Sequence, residues 1–316
     1  MIVLHPFRRV PAVLRYVAAL GLLLAALAGH VSPASAQAAP VEVPGTEFSF
    51  GSHIGVVAPR VVTAPDGKST LVWADSLGAP LPDQPNRRTW RVRMLRVDPS
   101  GIAGAQTTIA SWSTSRPMDN LLARSLRIAV GTSGHVAVLY PAIVSESGAS
   151  DFVASLRVSI VPPTGAGITQ TEITQSGSYY PVPSHSGGLD AGGNQLAVSP
   201  AGAAYVLWYD DAAIAVRLSR LGGGSPRFDT LVASDASVSA LALRRDGQIT
   251  VAWTSSGGSS RDQPHMKVVS PDGVAGPDLI SPDVAVSGVG DFDVVSRPGS
   301  TETFLFGIPA LDEMGR

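Results

Sequence analysis

The stretch from Pro59 to Asp75, PRVVTAPDGKSTLVWAD, decides the architecture. Two apolar runs rich in Val, Leu and Thr flank Pro65-Asp66-Gly67, and such runs favour extended chain. A glycine after aspartate suits a tight turn that needs positive φ. The second run ends on Trp73. The same pattern returns as LRIAVGTSGHVAVLYPA from Leu126 to Ala142, as QLAVSPAGAAYVLWYDD from Gln195 to Asp211 and as ALALRRDGQITVAWTSS from Ala240 to Ser256. A weaker copy, FDVVSRPGSTETFLFG, runs from Phe292 to Gly307. The turn glycines Gly67, Gly134, Gly202, Gly247 and Gly299 lie 67, 68, 45 and 52 positions apart. Trp73, Tyr140, Trp208, Trp253 and, more loosely, Phe306 mark the ends of the second runs.

A further hairpin separates successive copies, at Trp90 to Ala110, Phe152 to Thr174, Ala213 to Ala233 and His265 to Ser281. Each unit therefore reads as four strands in about 45 residues at its tightest. Gly and Pro interrupt every window long enough for a helix, so none is expected beyond the N-terminal segment. Repeated four-stranded units predict an all-β fold, a β-propeller. Burial of both faces of each unit against its neighbours accounts for the apolar first strands. The pattern resembles that of secreted bacterial β-propeller repeat proteins, whose blades read as an apolar strand, P-D-G, an apolar strand ending V-x-W, then R-x-x-x-D-x-x-G. Pro65-Asp66-Gly67, Leu71-Val72-Trp73 and Arg96-Val97-Asp98-Pro99-Ser100-Gly101 carry the resemblance most fully. It extends from about Pro59 to Gly307 and implies an architecture, not an activity. Four units are complete and the fifth shows only its first hairpin. Val41 to Phe50, VEVPGTEFSF, is expected to close a ring of five blades and remove its open edges.

The first 36 residues read as a secretory signal peptide. Arg8, Arg9 and Arg15 precede the apolar run Tyr16 to Ala28, and Ala34-Ser35-Ala36 offers a small-residue cleavage site. The run of 13 residues is short for a membrane span. The expected organisation is a signal at 1–36, an N-terminal segment at 37–58 and propeller repeats at 59–316, with a secreted or cell-envelope location and a monomeric state. Loss of the three signal arginines takes the formal net charge from −2 to −5, which argues against general nucleic-acid binding. The absence of Cys excludes disulfides and thiolate chemistry.

The connections between hairpins are the long ones, while the turns within hairpins read as tight. Propeller topology gathers the long connections at one end, where function usually sits. Candidate ligand-binding residues there are Arg87, Arg88, Trp112, Arg116, Asp119, Tyr179, Tyr180, His185, Tyr209, Asp210 and Asp211. Aromatics with Arg and Asp suit a sugar- or peptide-binding rim, and the expected partner is an extracellular protein, peptide or glycan.

No catalytic constellation emerges. Asp210-Asp211 and Asp291-Phe292-Asp293 are weak Ca²⁺ candidates lacking calcium-loop spacing, and no other cofactor is implied. Asp75, Asp119, Asp210 and Asp291 near the loop end are the residues a carbohydrate-active hydrolase would use; that is the alternative reading. Sialidase repeats resemble S-x-D-x-G-x-x-W, whereas Asp and Gly are adjacent here. Arg60, Arg127 and Arg297 would be the arginine set of such an enzyme, but no Glu has a distinctive Tyr context. His53, His135, His185 and His265 lack metal spacing. Finally, Arg87, Arg88, Arg91, Arg93 and Arg96 form a basic stripe. Alternation puts Arg91 and Arg93 on one strand face, readable either as stems covering apolar surface or as a dock for an acidic polymer.

Overall fold

Gly67, Gly134, Gly202 and Gly247 have φ of 83, 80, 81 and 81°, so each of these repeat turns uses the left-handed backbone that glycine tolerates. The computed structural model describes residues 54–76, 87–147, 151–176, 194–210, 213, 215–224, 227–234, 236–255, 264–280, 292–296 and 303–307. Gly299, the expected closing segment 41–50 and the signal region lie outside them.

Four consecutive meanders and a final hairpin are formed by the described residues. The first is β1 (Ile54–Thr63), β2 (Ser69–Ser76), β3 (Arg88–Val97) and β4 (Thr107–Thr114). The second is β5 (Arg127–Val130), β6 (Val136–Ser147), β7 (Asp151–Val161) and β8 (Thr169–Ser176). The third is β9 (Gln195–Val198), β10 (Ala204–Asp210), β11 (Ala215–Leu221) and β12 (Phe228–Ser234). The fourth is β13 (Ala236–Leu243), β14 (Ile249–Ser255), β15 (Pro264–Val269) and β16 (Leu279–Ile280), followed by the hairpin β17 (Phe292–Ser296) and β18 (Thr303–Gly307). Every sheet keeps its strands in chain order and antiparallel. The first strands stand side by side in succession: β1 touches β5, β5 touches β9, β9 touches β13 and β13 touches β17. Radially stacked meanders with neighbouring inner strands are the blades of a β-propeller.

Burial is deepest on the second strand of each blade, a correction to the expectation for the first. Val136 to Ile143 and Ala204 to Trp208 are buried without interruption, whereas β5 is only half-buried along its length. Alternate residues of these strands serve different interfaces. Val136, Val138 and Tyr140 meet Val72, Val92 and Met94 of the first blade. Ala137 and Leu139 meet Val206 and Trp208 of the third, and Tyr205 and Leu207 meet Ile249, Val251 and Trp253 of the fourth. The blade-end aromatics Tyr140, Trp208 and Trp253 thus each turn back towards the preceding blade.

Cationic side chains tie the blades at the end that carries the within-hairpin turns. Arg96 donates to the carbonyls of Gly134, Pro162 and Pro163 in the second blade. Arg220, at the matching position of β11, donates to the Pro271 carbonyl of the fourth at 3.1 Å. The turns themselves touch: a Cβ added to Gly202 would fall 2.7 Å from the His135 ring. The second-hairpin turn is longer than expected in two blades. Val97 to Gly104 and Val269 to Gly276 share one conformation, with bridges Val97↔Ala103 and Val269↔Ala275. The Asp98 carboxylate accepts from the Ile102 N–H in one, and the Ser270 hydroxyl accepts from the Val274 N–H in the other.

A helix, α1 (Asp119–Ser125), joins the first two blades, against the expectation of none. Met118, Leu122 and Leu126 are 1, 0 and 0% exposed. Their spacing of four is the helical stripe, held in a segment too short to stand out among its polar flanks.

Candidate functional site

Each blade sets its second-strand aromatic against an Arg or His side chain on the third strand, which in turn meets an acid or amide at or near the start of the fourth. In the first blade Arg93 lies over the Trp73 ring at 5.7 Å and donates to Gln106. In the second, Arg157 opposes Tyr140 and pairs with Glu172 at 3.6 Å. In the third, Arg217 covers Trp208 at 5.8 Å and pairs with Asp229 at 3.1 Å. In the fourth, His265 stacks on Trp253 at 5.3 Å and faces Asp278 at 3.3 Å. These basic side chains and their partners sit at variable offsets from the turn glycines, which is why the repeat pattern did not reveal them.

These ties claim several residues that the sequence offered for other work. Asp75 is fully buried. Its carboxylate accepts from Arg91 Nε and Nη2 at 2.9 and 2.8 Å, from Arg93 Nη1 at 3.4 Å and from Trp73 Nε1 at 3.2 Å. The stripe residues Arg91 and Arg93 therefore neutralise an internal carboxylate, and Arg96 holds the next blade. That removes them from a polyanion dock, and it encloses Asp75 away from any hydrolytic role. Tyr209 and Asp210 belong to β10, not to a loop, and Arg217 stands 3.9 Å from the Asp210 carboxylate.

The loop end between the first two blades is built differently. Glu146, near the end of β6, reaches across to the first blade. The Thr114 hydroxyl donates to it, as do the Ser115 N–H at 3.1 Å and the Ser115 hydroxyl at 2.9 Å, and Arg87 stands 3.8 Å away. Burial by itself would raise the Glu146 carboxyl; the hydrogen bonds from Thr114 and Ser115 and the Arg87 charge outweigh it and hold the group below its ordinary value. A carboxylate shifted down stabilises the fold above its unfolded value and loses that contribution as pH falls through the folded one. Glu146→Gln is therefore expected to flatten the fall in melting temperature as pH drops below about 4.5, the ordinary glutamate value. An unchanged acid limb would show that the bridge contributes nothing.

Next to this bridge stands Arg116. Its guanidinium lies over the Phe152 ring at 5.3 Å, a cation–π contact. Its Nε and Nη2 are buried with no hydrogen-bond acceptor among the described residues, and the Nε1 atoms of Trp90 and Trp112 are likewise buried without one. Trp90 and Trp112 are directly opposite on β3 and β4. Trp112, expected in a loop, is a strand residue, and its ring stacks on Tyr140 of the second blade at 6.0 Å. Arg88 is exposed opposite Thr114, and Asp119 is exposed in the first turn of α1. Arg87, Arg88, Trp112, Arg116 and Asp119 thus gather at one blade junction, while Tyr209 and Asp210 belong to another. Tyr179, Tyr180, His185 and Asp211 lie outside the described residues. Sequence reasoning missed Glu146, which lies on a long strand where a loop was expected, and Phe152, which it read only as the start of a hairpin strand. Among the described residues no group of three or more metal-ligating side chains occurs, and no helix is long and apolar enough to cross a membrane.

No family model matches the chain, and no curated protein matches it in sequence. Among solved structures it is similar to a protein of unknown function from Dyadobacter fermentans, at 10% identity and a TM-score of 0.43 over 82% of this chain and 74% of that one. It is similar also to the NanB sialidase of Streptococcus pneumoniae, at 9% identity and a TM-score of 0.39 over 78% of this chain and 55% of that one. A GH43_1 enzyme from Xanthomonas citri matches at 10% identity and a TM-score of 0.31, over 84% and 91%. The propeller assignment rests on the chain's own strand order and inner-strand contacts.

Proposed function

We propose that the chain is a secreted β-propeller binding module that recognises an oxygen-rich ligand, a glycan or peptide, at the loop end of its first two blades. The observation that supports this is Arg116, a guanidinium with two buried N–H-bearing nitrogens that have no acceptor among the described residues, flanked by Phe152. Arg93, Arg220 and Arg244 also carry a buried orphan Nε, but each is anchored through its other nitrogens. Unsatisfied buried donors are costly, and a ligand carbonyl, carboxylate or hydroxyl oxygen would supply what they lack. Nearby aromatic rings suit the flat faces of sugars or peptides.

The test separates recognition from stability. The mature chain from residue 37 is screened against immobilised oligosaccharides and peptides. Arg116→Met is then expected to leave the melting temperature of the free protein unchanged or higher. It should weaken the bound ligand about 10- to 150-fold, since a hydrogen bond to a charged group contributes about 1.5–3 kcal/mol. Equal affinity in the variant would sink the reading. Hydrolysis of chromogenic glycosides, abolished by Asp119→Asn, would replace it with the hydrolase alternative. N-terminal sequencing of the exported protein should begin at Gln37 if the signal reading holds.

A further inference from the structure

The innermost strands carry a second cluster, at the C-terminal end of α1. Arg60 of β1 donates from Nε to the Leu126 carbonyl at 3.3 Å and from Nη2 to the Ala123 carbonyl at 2.7 Å. Arg127, the first residue of β5, donates from Nη1 to the Arg124 carbonyl at 2.5 Å and to the same Leu126 carbonyl at 3.1 Å. Two guanidiniums therefore converge on one oxygen at the C-terminus of α1.

Capping explains only part of this. Helix C-terminal carbonyls attract cations, but the helix end carries about half a negative charge, while the two arginines bring two positive ones. Each guanidinium has five N–H donors and uses two, leaving three. None of the remaining nitrogens is a buried orphan, and both residues are only partly buried, so the free donors reach solvent. No carboxylate pairs with either residue among the described residues. The crowding is felt: burial, and then the Arg60 charge, push the Arg127 guanidinium below the usual arginine value.

We infer that Arg60 and Arg127 form a binding site for one oxyanion, the carboxylate or sulfate group of an acidic ligand, at the inner edge of the first two blades. An oxyanion with two or more acceptor oxygens, planar as a carboxylate or tetrahedral as a sulfate, accepts from two guanidinium forks at once and relieves their mutual repulsion. The site does not depend on the Arg116 reading.

The experiment titrates the mature chain with sodium sulfate and, separately, with sodium glucuronate, against sodium chloride at matched ionic strength, by calorimetry. Saturable binding of one or both probes is expected, and the preferred probe identifies the group. Arg127→Gln and Arg60→Gln should each weaken it at least tenfold, while Arg124→Gln, on the exposed side of α1, should change it less than twofold. Arg116→Met should leave it unchanged even if the loop-end ligand is lost. Should a Gln variant fail to fold, Arg127→Lys keeps the charge but loses the fork and should give an intermediate loss. Crystals soaked in selenate should show an anomalous peak between the two guanidiniums. The site is refuted by absence of saturable binding to both probes, by an equal loss in Arg124→Gln, or by selenate density elsewhere only.

Discussion

Asp75→Ala is expected to lower the melting temperature by on the order of 10 °C, one of the two largest effects of any single substitution considered for this chain. Asp75 is completely buried and accepts from Arg91, Arg93 and Trp73. Its removal takes a shared acceptor away from two guanidiniums and an indole N–H in a largely buried place. Breaking a buried pair by deleting one partner costs about 3–5 kcal/mol, and each kcal/mol shifts a domain of this size by about 2–4 °C. Asp75→Asn keeps the shape but not the charge and should fall between. Replacing the whole network, Asp75→Leu with Arg91→Met and Arg93→Met, should recover much of the loss, because apolar substitutes for a buried ion cluster are often neutral. Thermal melts of the four proteins decide the matter. A wild-type melting temperature for Asp75→Ala would mean that the network is not formed.

Trp208→Ala is the second. The ring is 4% exposed, packs into the core shared by the second and third blades, and donates from Nε1 to the Ser219 hydroxyl at 2.9 Å. Truncating a buried tryptophan costs about 3–5 kcal/mol, read here as a shift in the urea midpoint. Trp208→Phe retains most of the packing and should cost about 1 kcal/mol for the lost hydrogen bond. Trp112→Ala provides the contrast. Its indole nitrogen has no acceptor among the described residues and the residue is only partly buried, so its cost should be less than half that of Trp208→Ala. Equal losses at the two sites would deny that the blade-end aromatics hold the interfaces.

The architecture was legible because its signals are local. A hairpin turn announces itself through a glycine forced to positive φ, and Gly67, Gly134, Gly202 and Gly247 all occupy that region. Trp73, Tyr140, Trp208 and Trp253, each six positions beyond its turn glycine, could be read the same way. What escaped depends on register. Asp75 stands opposite Arg91 only because the link from β2 to β3 sets that pairing, and residue spacing along the chain does not encode it. The sequence therefore presented Arg91 and Arg93 as a stripe and Asp75 as a free carboxylate, when they are one cluster of two guanidiniums around a single buried carboxylate. Trp112 was placed in a loop and Glu146 was passed over for a related reason: β4 and β6 continue past the points where composition suggested a loop. The convergence of Arg60 and Arg127 needed a helix end between them. The period-four stripe of Met118, Leu122 and Leu126 was the available clue to that helix.

The strand order has a consequence for how the chain is made. No described sheet borrows a strand from a distant part of the sequence, so loop closure within a blade spans few residues and carries a small entropic penalty. A blade can be completed while the next is still being delivered, whether from a ribosome or through a translocation channel. The staples then close in chain order: Arg96 waits only for the turns at Gly134 and Pro162–Pro163 just downstream, and Arg220 only for the turn at Pro271. Such a molecule assembles like a zipper drawn from one end, each tooth already shaped when its neighbour arrives.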